Sequence, residues 1–462
     1  MKKIFILIVG ICSLIACKNE PKKQEKEEKP RAEQPVPISD DVLETAVIYE
    51  ANIRQYSEEG SFNAFTKDIP KLKELGVKVI WLMPVYPISS TKSKGSLGSY
   101  YAITDYTKVN PEFGTLEDFR NLVKIAHEND MYIILDWVAN HTGWDHVWIK
   151  EHPEYYTQDK DGNIIDPINP ETGESWDWTD VADLNYDNRE MRQEMIKDML
   201  YWVKEEGIDG YRCDVAHQVP VDFWEDAAAR LREVKPVFML AEAEQPELLK
   251  NAFDMQYAWK GHHIMNEIAQ GKKNAEDWDA YIAKNDTLLE EDDIFMNFTS
   301  NHDENSWNGT VFERMGDAAE TFAVMTYAIP GMPLIYSGQE YDMDKRLLFF
   351  EKDTILKNKG KFYPLYEKLG KLKKQNTALN GGKKAASYNR LSTSDDKKVL
   401  AFAREKGGDK IVFIANLTDN PLRFTVDARG SYTNYMTGEK MEINAGTSYD
   451  FKPWEYVILT AN

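Results

Sequence analysis

Three acidic residues of this sequence each lie at the end of a short apolar run or just after one: Asp214, Glu242 and Asp303. Arg212 precedes Asp214 by two residues, so on a β-strand both side chains would point to the same face. A guanidinium in that position keeps a carboxylate ionised. An ionised carboxylate beside a protonated carboxylic acid can carry out nucleophilic and general acid–base catalysis. The pattern therefore predicts a catalytic site, with a purely structural Arg–Asp pair as the alternative.

Two histidines stand at equivalent places beside these acidic residues. His141 and His302 each follow an apolar run, and although a lone histidine is more often structural, this pairing favours a role in binding. Glu244 lies two residues after Glu242 and is a rival candidate for the acid. We prefer Glu242 because it follows the apolar run almost directly.

The elements that would position these residues alternate between apolar runs and amphipathic helical stretches. Eight runs have the composition of buried strands, at residues 47–50, 77–82, 132–135, 210–214, 237–241, 253–257, 294–298 and 333–336. Helical spacing occurs at residues 65–75, 116–127, 191–204, 223–234 and 318–328, and Pro70 must kink the first of these helices or mark its true start. The alternation predicts a parallel sheet, either a barrel or a doubly wound sheet.

Polar residues recur at the carboxyl ends of these strands, which is where a barrel builds its site. No glycine-rich phosphate-binding pattern follows an early strand. We therefore predict an α/β protein with a (β/α)₈ TIM barrel at residues 43–380. A small excursion domain at residues 142–187 would follow the third strand, because this long connection is rich in Gly, Pro, Trp and Asp. Short alternating strands predict a C-terminal antiparallel β-sandwich domain at residues 381–462.

Four segments at the strand ends carry a family resemblance: DWVANH at residues 136–141, GYRCD at 210–214, LAE at 240–242 and SNHDE at 300–304. The segment YAITDY at residues 101–106 adds to it. Together these motifs resemble the α-amylase family, glycoside hydrolase family 13, from about residue 45 to the end. The family usually has Gly before the catalytic Glu, where this chain has Ala241.

The resemblance implies a retaining glycosidase, which needs a nucleophile and an acid about 5–5.5 Å apart. Asp214 would attack the anomeric carbon, and Glu242 would be the general acid and then the base. Asp303 would bind sugar hydroxyls and help distort the ring. His141 and His302 would donate to hydroxyls of the same sugar, Tyr101 would stack on it, and Arg212 would keep the nucleophile ionised.

The resemblance also implies a structural calcium ion, bound through Asn140 and through Asp183, which lies within the excursion domain. Both residues offer hard oxygen ligands. This chain departs from the family pattern nearby, with His217-Gln218 in place of Lys-His and with Ala182 in place of the usual Pro. The alternative is that Asn140 and Asp183 hydrogen-bond to each other or to the backbone.

The N-terminus has two lysines followed by an apolar run from Ile4 to Ala16, which is too short to span a bilayer and fits a signal peptide. It ends at Cys17 in a sequence that resembles the bacterial lipobox. We therefore predict a lipoprotein signal peptide at residues 1–17, lipidation of Cys17 and a disordered tether at residues 18–42. The protein would then be membrane-anchored at the cell envelope, on its periplasmic face or outer surface. An ordinary signal peptide with an incidental cysteine is the alternative.

The formal net charge of −21 argues against nucleic acid as a partner. Taken with the motifs, the sequence predicts hydrolysis of α-1,4-linked glucans or maltooligosaccharides. Glycosyl transfer and α-glucosidase activity use the same scaffold and remain alternatives. A non-catalytic glucan-binding lipoprotein is disfavoured because all three carboxylates are present, and a transporter accessory subunit would need a transmembrane helix after residue 17.

Overall fold

The computed structural model describes residues 37–169 and 172–461, and the chain from Pro37 onward forms one compact unit. The predicted signal peptide, Cys17 and most of the predicted tether lie outside the described residues. No helix among the described residues is long and apolar enough to cross a membrane.

The first ten strands, in chain order, are β1 Ile48–Ala51, β2 Val79–Leu82, β3 Tyr132–Val138, β4 His141–Gly143, β5 Val181–Asp183, β6 Gly210–Asp214, β7 Phe238–Ala241, β8 Met255–Tyr257, β9 Ile294–Asn297 and β10 Met332–Tyr336. Eight of them close into a parallel barrel in the order β1-β2-β3-β6-β7-β8-β9-β10, with β10 paired to β1. The predicted TIM barrel is confirmed, and each of the eight predicted strand runs contains one barrel strand or overlaps it.

Fourteen α-helices accompany these strands: α1 Asp40–Thr45, α2 Ile53–Tyr56, α3 Phe62–Thr66, α4 Ile69–Glu74, α5 Leu116–Glu128, α6 Val147–Glu151, α7 Arg189–Lys204, α8 Val221–Val234, α9 Pro246–Leu249, α10 Trp259–Ala269, α11 Ala275–Leu288, α12 Val311–Met315, α13 Ala319–Ala328 and α14 Phe362–Gln375. The helix predicted at residues 65–75 is two short helices, and Pro70 lies in the first turn of α4, where a missing backbone N–H does no harm. The Thr115 side chain caps α5 in a reciprocal capping box with Asp118.

The barrel has apolar side chains on both faces of its strands. Ile48, Trp81, Ile134 and Leu240 belong to one buried cluster, which fills the interior. Their neighbours along the strands pack in a second cluster with the surrounding helices. Because side chains alternate along a strand, residues two positions after an interior residue also point inward.

The connection between β3 and β6 contains the predicted excursion. Its strands β4 and β5 pair antiparallel, with His141 opposite Asp183. Asp159 Oδ1 accepts hydrogen bonds from the backbone N–H groups of Asp161 and Asn163 and closes a turn there. The only α-helix between His141 and Asn188 is the five-residue α6, apart from residues 170–171, which are not described.

The C-terminal part has eight further strands: β11 Asn389–Arg390, β12 Val399–Lys406, β13 Asp409–Asn416, β14 Leu422–Thr425, β15 Gly430–Asn434, β16 Lys440–Ile443, β17 Ser448–Phe451 and β18 Tyr456–Ala461. Six form an antiparallel sheet in the order β11-β12-β13-β18-β15-β16, and β14 pairs with β17. Side chains of both sheets, such as Val412 and Phe424, share one buried cluster. The antiparallel C-terminal domain is confirmed, while its predicted boundary at residue 381 stays a prediction.

Candidate active site

Charged side chains occupy the last inward positions of several barrel strands. Glu50 lies two residues after Ile48, and Asp136 lies two after Ile134. Glu242 follows the inward Leu240 by the same spacing. The alternation of each strand therefore carries its apolar interior into a polar group at the carboxyl end of the barrel.

One guanidinium joins three of the carboxyl groups. Nη1 of Arg212 donates to Asp136 Oδ1 and to Asp214 Oδ1, each at 2.8 Å. Its Nη2 lies 3.0 Å from Glu242 Oε2. Nε donates to the Tyr257 hydroxyl at 3.1 Å. A fully buried cation thus brings together the two residues that we predicted as nucleophile and acid.

The protonation of these carboxyl groups reflects burial first and Arg212 second. Burial raises the pKa of Asp214 to about 6, although Arg212 opposes the rise. Burial likewise raises the pKa of Asp136 to about 6 and that of Glu242 to about 7, against the same guanidinium. A charged Asp214 also adds to the rise at Glu242. With a pKa of about 7 against about 6 for the other two, Glu242 retains its proton to the highest pH of the three.

The backbone after Asp214 positions Glu242. Val215 has φ +44° and ψ +40°, in the left-handed region that β-branched residues rarely adopt. In this conformation its N–H donates to Glu242 Oε2 at 2.8 Å. The strained residue therefore links the ends of β6 and β7 through the carboxyl group of Glu242.

A second chain of contacts runs from β1 through His302 to Asp136. Glu50 Oε1 lies 2.5 Å from Nδ1 of His302, and Nε2 of His302 lies 2.8 Å from the Tyr101 hydroxyl. That hydroxyl donates to Asp136 Oδ2 at 3.0 Å. Burial acts to lower the pKa of His302, but Asp303 and Glu50 outweigh it and raise the pKa to about 9. His302 is therefore a cation at neutral pH.

Asp303 is the most exposed of the three predicted catalytic carboxylates, at 36% of its side chain. Its Oδ2 lies 3.3 Å from His302 Nε2. A turn of π-helix, Glu304–Asn308, follows it directly. Glu304 Oε2 lies 3.2 Å from His262 Nε2 and 3.8 Å from Arg314 Nη1. Because His262 is on α10 and Arg314 is on α12, contacts with both helices fix this turn.

Glu244 is not placed like Glu242. Its carboxylate accepts hydrogen bonds from the backbone N–H of Lys260, at the start of α10. It lies three residues beyond the end of β7, whereas Glu242 follows the last residue of that strand directly. The geometry favours Glu242 over this rival.

His141 is the first residue of β4, the strand that follows β3 in the chain. Its ring contacts the indole of Trp178, with centroids 5.8 Å apart, and its Nδ1 lies 3.4 Å from Asn140 Nδ2. Burial lowers the pKa of His141 to about 3, so the ring is neutral. The structure therefore groups Tyr101, Arg212 and His302 around the carboxylates, and it places His141 against Trp178 of the excursion.

The side chains around the predicted calcium position do not complete a calcium site. Among the described residues, no group of three or more His, Cys, Asp or Glu side chains could hold a metal ion. Burial raises the pKa of Asp183 to about 6. Asn140 and Asp183 are two residues with oxygen ligands in their side chains, whereas a calcium ion is coordinated by six to eight oxygens. Most of the ligands would therefore have to come from other groups.

Two cavities are relevant to ligand binding. One, of about 460 Å³, lies beside Glu242 and is lined by Val215, Trp176, Trp178 and Trp259, among others. A larger one, of about 620 Å³, lies between the α10–α11 connection and the C-terminal sheet near Trp454. Of these two cavities, the smaller one reaches Glu242, so the candidate site is at the barrel mouth.

Sequence reasoning missed two residues of the site. Glu50 was assigned only to the first strand, and Asp136 only to a motif. Both are charged residues within or at the end of an otherwise apolar run, and this signal could have identified them. Trp81 and Tyr257, whose rings lie 4.8 Å and 5.6 Å from the Arg212 guanidinium carbon, carry no such signal, because aromatic residues also fill cores.

Comparisons with known proteins identify the family of the chain. The family model of the α-amylase catalytic domain matches residues 48–411. Alpha-amylase 3 of Dictyoglomus thermophilum is 27% identical over 471 residues, which cover 86% of this chain and 90% of that protein. A 4-alpha-glucanotransferase of Thermotoga neapolitana is 28% identical over 318 residues, covering 62% of this chain and 68% of that protein.

The crystal structure of an α-amylase from Lactobacillus plantarum is also similar. It has 31% sequence identity and a TM-score of 0.81, and the match covers 91% of this chain and 99% of that one. Since the family model spans most of the barrel, the chain belongs to the α-amylase family of glycoside hydrolases.

Proposed function

We propose that the protein is a retaining hydrolase of α-1,4-glucosidic bonds in starch-derived glucans and maltooligosaccharides, acting through a covalent glycosyl-enzyme intermediate. The observation that carries the proposal is the contact of Asp214 and Glu242 with the same buried guanidinium. Two carboxyl groups held by one cation at the end of a barrel can flank a single glycosidic bond.

In the first step, Glu242 donates its proton to the glycosidic oxygen while Asp214 attacks the anomeric carbon. The bond to the leaving sugar breaks, and an ester forms between Asp214 and the remaining sugar. In the second step, Glu242 takes a proton from water, which attacks the anomeric carbon and releases Asp214. Two inversions at that carbon give net retention.

Arg212 supports both steps by favouring the ionised form of Asp214. Asp303 and His302 face the same space, and we assign them to hydroxyl groups of the sugar that forms the ester. The imidazolium form of His302 strengthens its hydrogen bonds, since charged donors bind more tightly than neutral ones. Tyr101 lies within hydrogen-bond reach of His302 and contributes an aromatic face to that sugar.

Substitution of the carboxylates tests the assignment. D214N and E242Q should each lower kcat by about 10³-fold or more, with the fold retained. E244Q is the matched control, because Glu244 belongs to the neighbouring loop and binds a helix N-terminus instead. Loss of activity in E244Q with activity retained in E242Q would reverse the assignment of the acid.

The choice between hydrolysis and glycosyl transfer depends on which acceptor attacks the ester. Product analysis on maltooligosaccharides, pullulan, cyclodextrin and trehalose separates the α-amylase reading from transferase and α-glucosidase readings. Products longer than the substrate would show transfer. NMR of the first product tests retention, because an inverting enzyme releases the opposite anomer.

Calcium is part of the proposal only as a structural ion. Asn140 and Asp183 would supply part of its coordination, and backbone carbonyls and water would have to supply the rest. An ion that binds only the folded state raises the midpoint of thermal unfolding. Unchanged melting after chelation would remove calcium from the account.

The lipid anchor is proposed from the sequence alone. Lipidation of Cys17 would hold the enzyme at the cell envelope, where extracellular or periplasmic maltodextrins are accessible. C17A should release the protein from the membrane fraction, and protease treatment of intact cells should distinguish the periplasmic face from the outer surface. Recovery of C17A in the membrane fraction would contradict the anchor.

A further inference from the structure

Two tryptophans in the part of the chain that the structure describes are exposed, Trp176 at 38% and Trp307 at 54%. Trp176 belongs to the excursion between β3 and β6, and Trp307 belongs to the π-turn after Asp303. Both therefore lie on loops at the carboxyl end of the barrel, where the carboxylates are. Exposure of a large apolar ring is unfavourable in water, so paired exposure at this face suggests a ligand.

Trp307 is connected to the site by a row of aromatic rings. The ring of Tyr101 stacks on Phe349, with centroids 6.2 Å apart and planes 16° apart. The ring of Phe349 in turn contacts the ring of Trp307, with centroids 5.2 Å apart. Asn305 fixes this arrangement, because its side chain donates to Lys345 O at 3.0 Å and accepts from Leu347 N at 2.8 Å.

Trp176 is connected to the site on the Glu242 side. Its ring stacks on Trp178, with centroids 5.8 Å apart and planes 19° apart. Both rings line the cavity of about 460 Å³ that reaches Glu242. The backbone N–H of Trp176 donates to Pro167 O at 3.1 Å, and Lys94 Nζ donates to Asp177 O at 2.9 Å. These two hydrogen bonds fix the backbone of the segment that carries Trp176.

The barrel order places the two aromatic pairs across the mouth from each other. The cavity beside Trp176 and Trp178 is also lined by Val215, Glu242 and Trp259, which follow β6, β7 and β8. Phe349 follows β10 and stacks on Tyr101, which follows β2, so the two pairs are centred on β7 and on β1, which are four strands apart. In an eight-stranded barrel, four strands correspond to half a turn, so the carboxylates lie between the pairs.

We propose that Trp307 with Phe349 and Trp176 with Trp178 are sugar-stacking platforms on opposite sides of the carboxylates, so that an α-glucan chain crosses the mouth and is cut internally. This inference rests on the proposed function and adds the endo mode of action. The C–H faces of glucose rings pack on exposed aromatic faces, while their hydroxyls stay in water. The continuous contact of each pair with the site argues for the substrate as the occupant.

The acid defines the direction of the chain. Glu242 protonates the leaving sugar, so the Trp176 platform would bind the sugars on the reducing-end side of the cut. Tyr101 and His302 contact the opposite sugar, so the Trp307 platform would bind the non-reducing side. Each platform then controls how many sugars are held on its own side.

Binding can be measured without turnover in a D214N background. In that background, W176A and W307A should each raise the Kd for maltoheptaose by about tenfold, and the double variant by about a hundredfold. W176F and W307F, which keep an aromatic face, should stay within about threefold of the parent. L288A is the control, since Leu288 is an exposed side chain at the end of α11 and leads into the opposite face of the barrel.

Cleavage of end-labelled maltoheptaose by the otherwise wild-type enzyme gives the second measurement. The parent should cut internal bonds, W176A should shift cuts toward the reducing end, and W307A toward the non-reducing end. An unchanged Kd or cleavage pattern in either alanine variant would overturn the two-platform inference. If the parent cleaves no α-1,4-glucan, the proposed hydrolysis fails, whereas weaker binding in the D214N tryptophan variants would still support the platforms.

Discussion

Neutralising Glu242 should stabilise the protein in a pH-dependent way. Its side chain is 14% exposed and shares Arg212 with Asp136 and Asp214. Glutamine has the same shape, and its carbonyl oxygen can accept the Val215 N–H. The substitution therefore removes a buried charge while keeping the hydrogen bond that positions the side chain.

The size of the effect follows from the pKa of Glu242. Burial raises it from 4.5 to about 7. Below pH 4.5 the group is protonated in both folded and unfolded chains, so it contributes no difference. Between these values the unfolded chain loses its proton first, and unfolding becomes more favourable as the pH rises. Above pH 8 the free energy of unfolding of the wild type is about 3 kcal/mol lower than under acid conditions because of this group, whereas E242Q lacks this loss.

Urea unfolding at pH 5, 6, 7 and 8.5 measures this difference. The free energy of unfolding of E242Q minus that of wild type should be below about 1 kcal/mol at pH 5 and rise to about 3 kcal/mol at pH 8.5. E233Q is the matched control, because Glu233 is an exposed glutamate on α8. Its difference from wild type should be flat across the range.

A difference that is negative at pH 8.5, or that does not grow with pH, would refute the reasoning. It would mean that the attraction of Arg212 exceeds the penalty of burial and that Glu242 is ionised at neutral pH. The same result would remove its role as a proton donor, so the stability measurement bears on the mechanism independently of any activity assay.

Three further outcomes are expected. The kcat/KM should follow a bell-shaped pH profile, falling below about pH 6 as Asp214 is protonated and above about pH 7 as Glu242 loses its proton; a flat profile from pH 5 to 8 would contradict this. E50Q should lower the His302 pKa from about 9 toward neutrality, as seen by NMR titration of the ring, and lower kcat/KM by about tenfold or more; an unmoved titration would exclude Glu50 as its partner. V215N should raise the free energy of unfolding by about 1 kcal/mol with activity retained, because Asn tolerates the left-handed backbone and keeps the N–H; destabilisation would show that the valine side chain contributes more by packing.

The fold was predictable because the barrel strands have distinctive sequences. Runs such as residues 132–135 are continuously apolar, as buried parallel strands are. Four of the eight runs end in a charged residue or are directly followed by one, and this pattern indicated the position of the site. The short strands β15, β16 and β17 were not predicted, since their mixed polar composition resembles that of loops.

The candidate site was only partly predictable, because its contacts join distant strands. The spacing of Arg212 and Asp214 predicted their pairing. It could not show that the same guanidinium reaches Asp136 and Glu242, since those contacts depend on the barrel closing. The partnership of Glu50 with His302, 252 residues apart, has the same origin. The exposure of Trp307 is set by tertiary packing, and a sequence does not distinguish it from a core tryptophan.

Because Asp214 lies close to Glu242, the charge of Asp214 adjusts the pKa of Glu242 between the two steps. Glu242 can therefore act first as an acid and then as a base at one constant pH. Part of the elevated pKa of Glu242 comes from the negative charge of Asp214. Once Asp214 is esterified, that charge is gone, and the affinity of Glu242 for a proton falls. The group that has just released a proton then remains unprotonated while water approaches, and hydrolysis of the ester restores the original charge and proton.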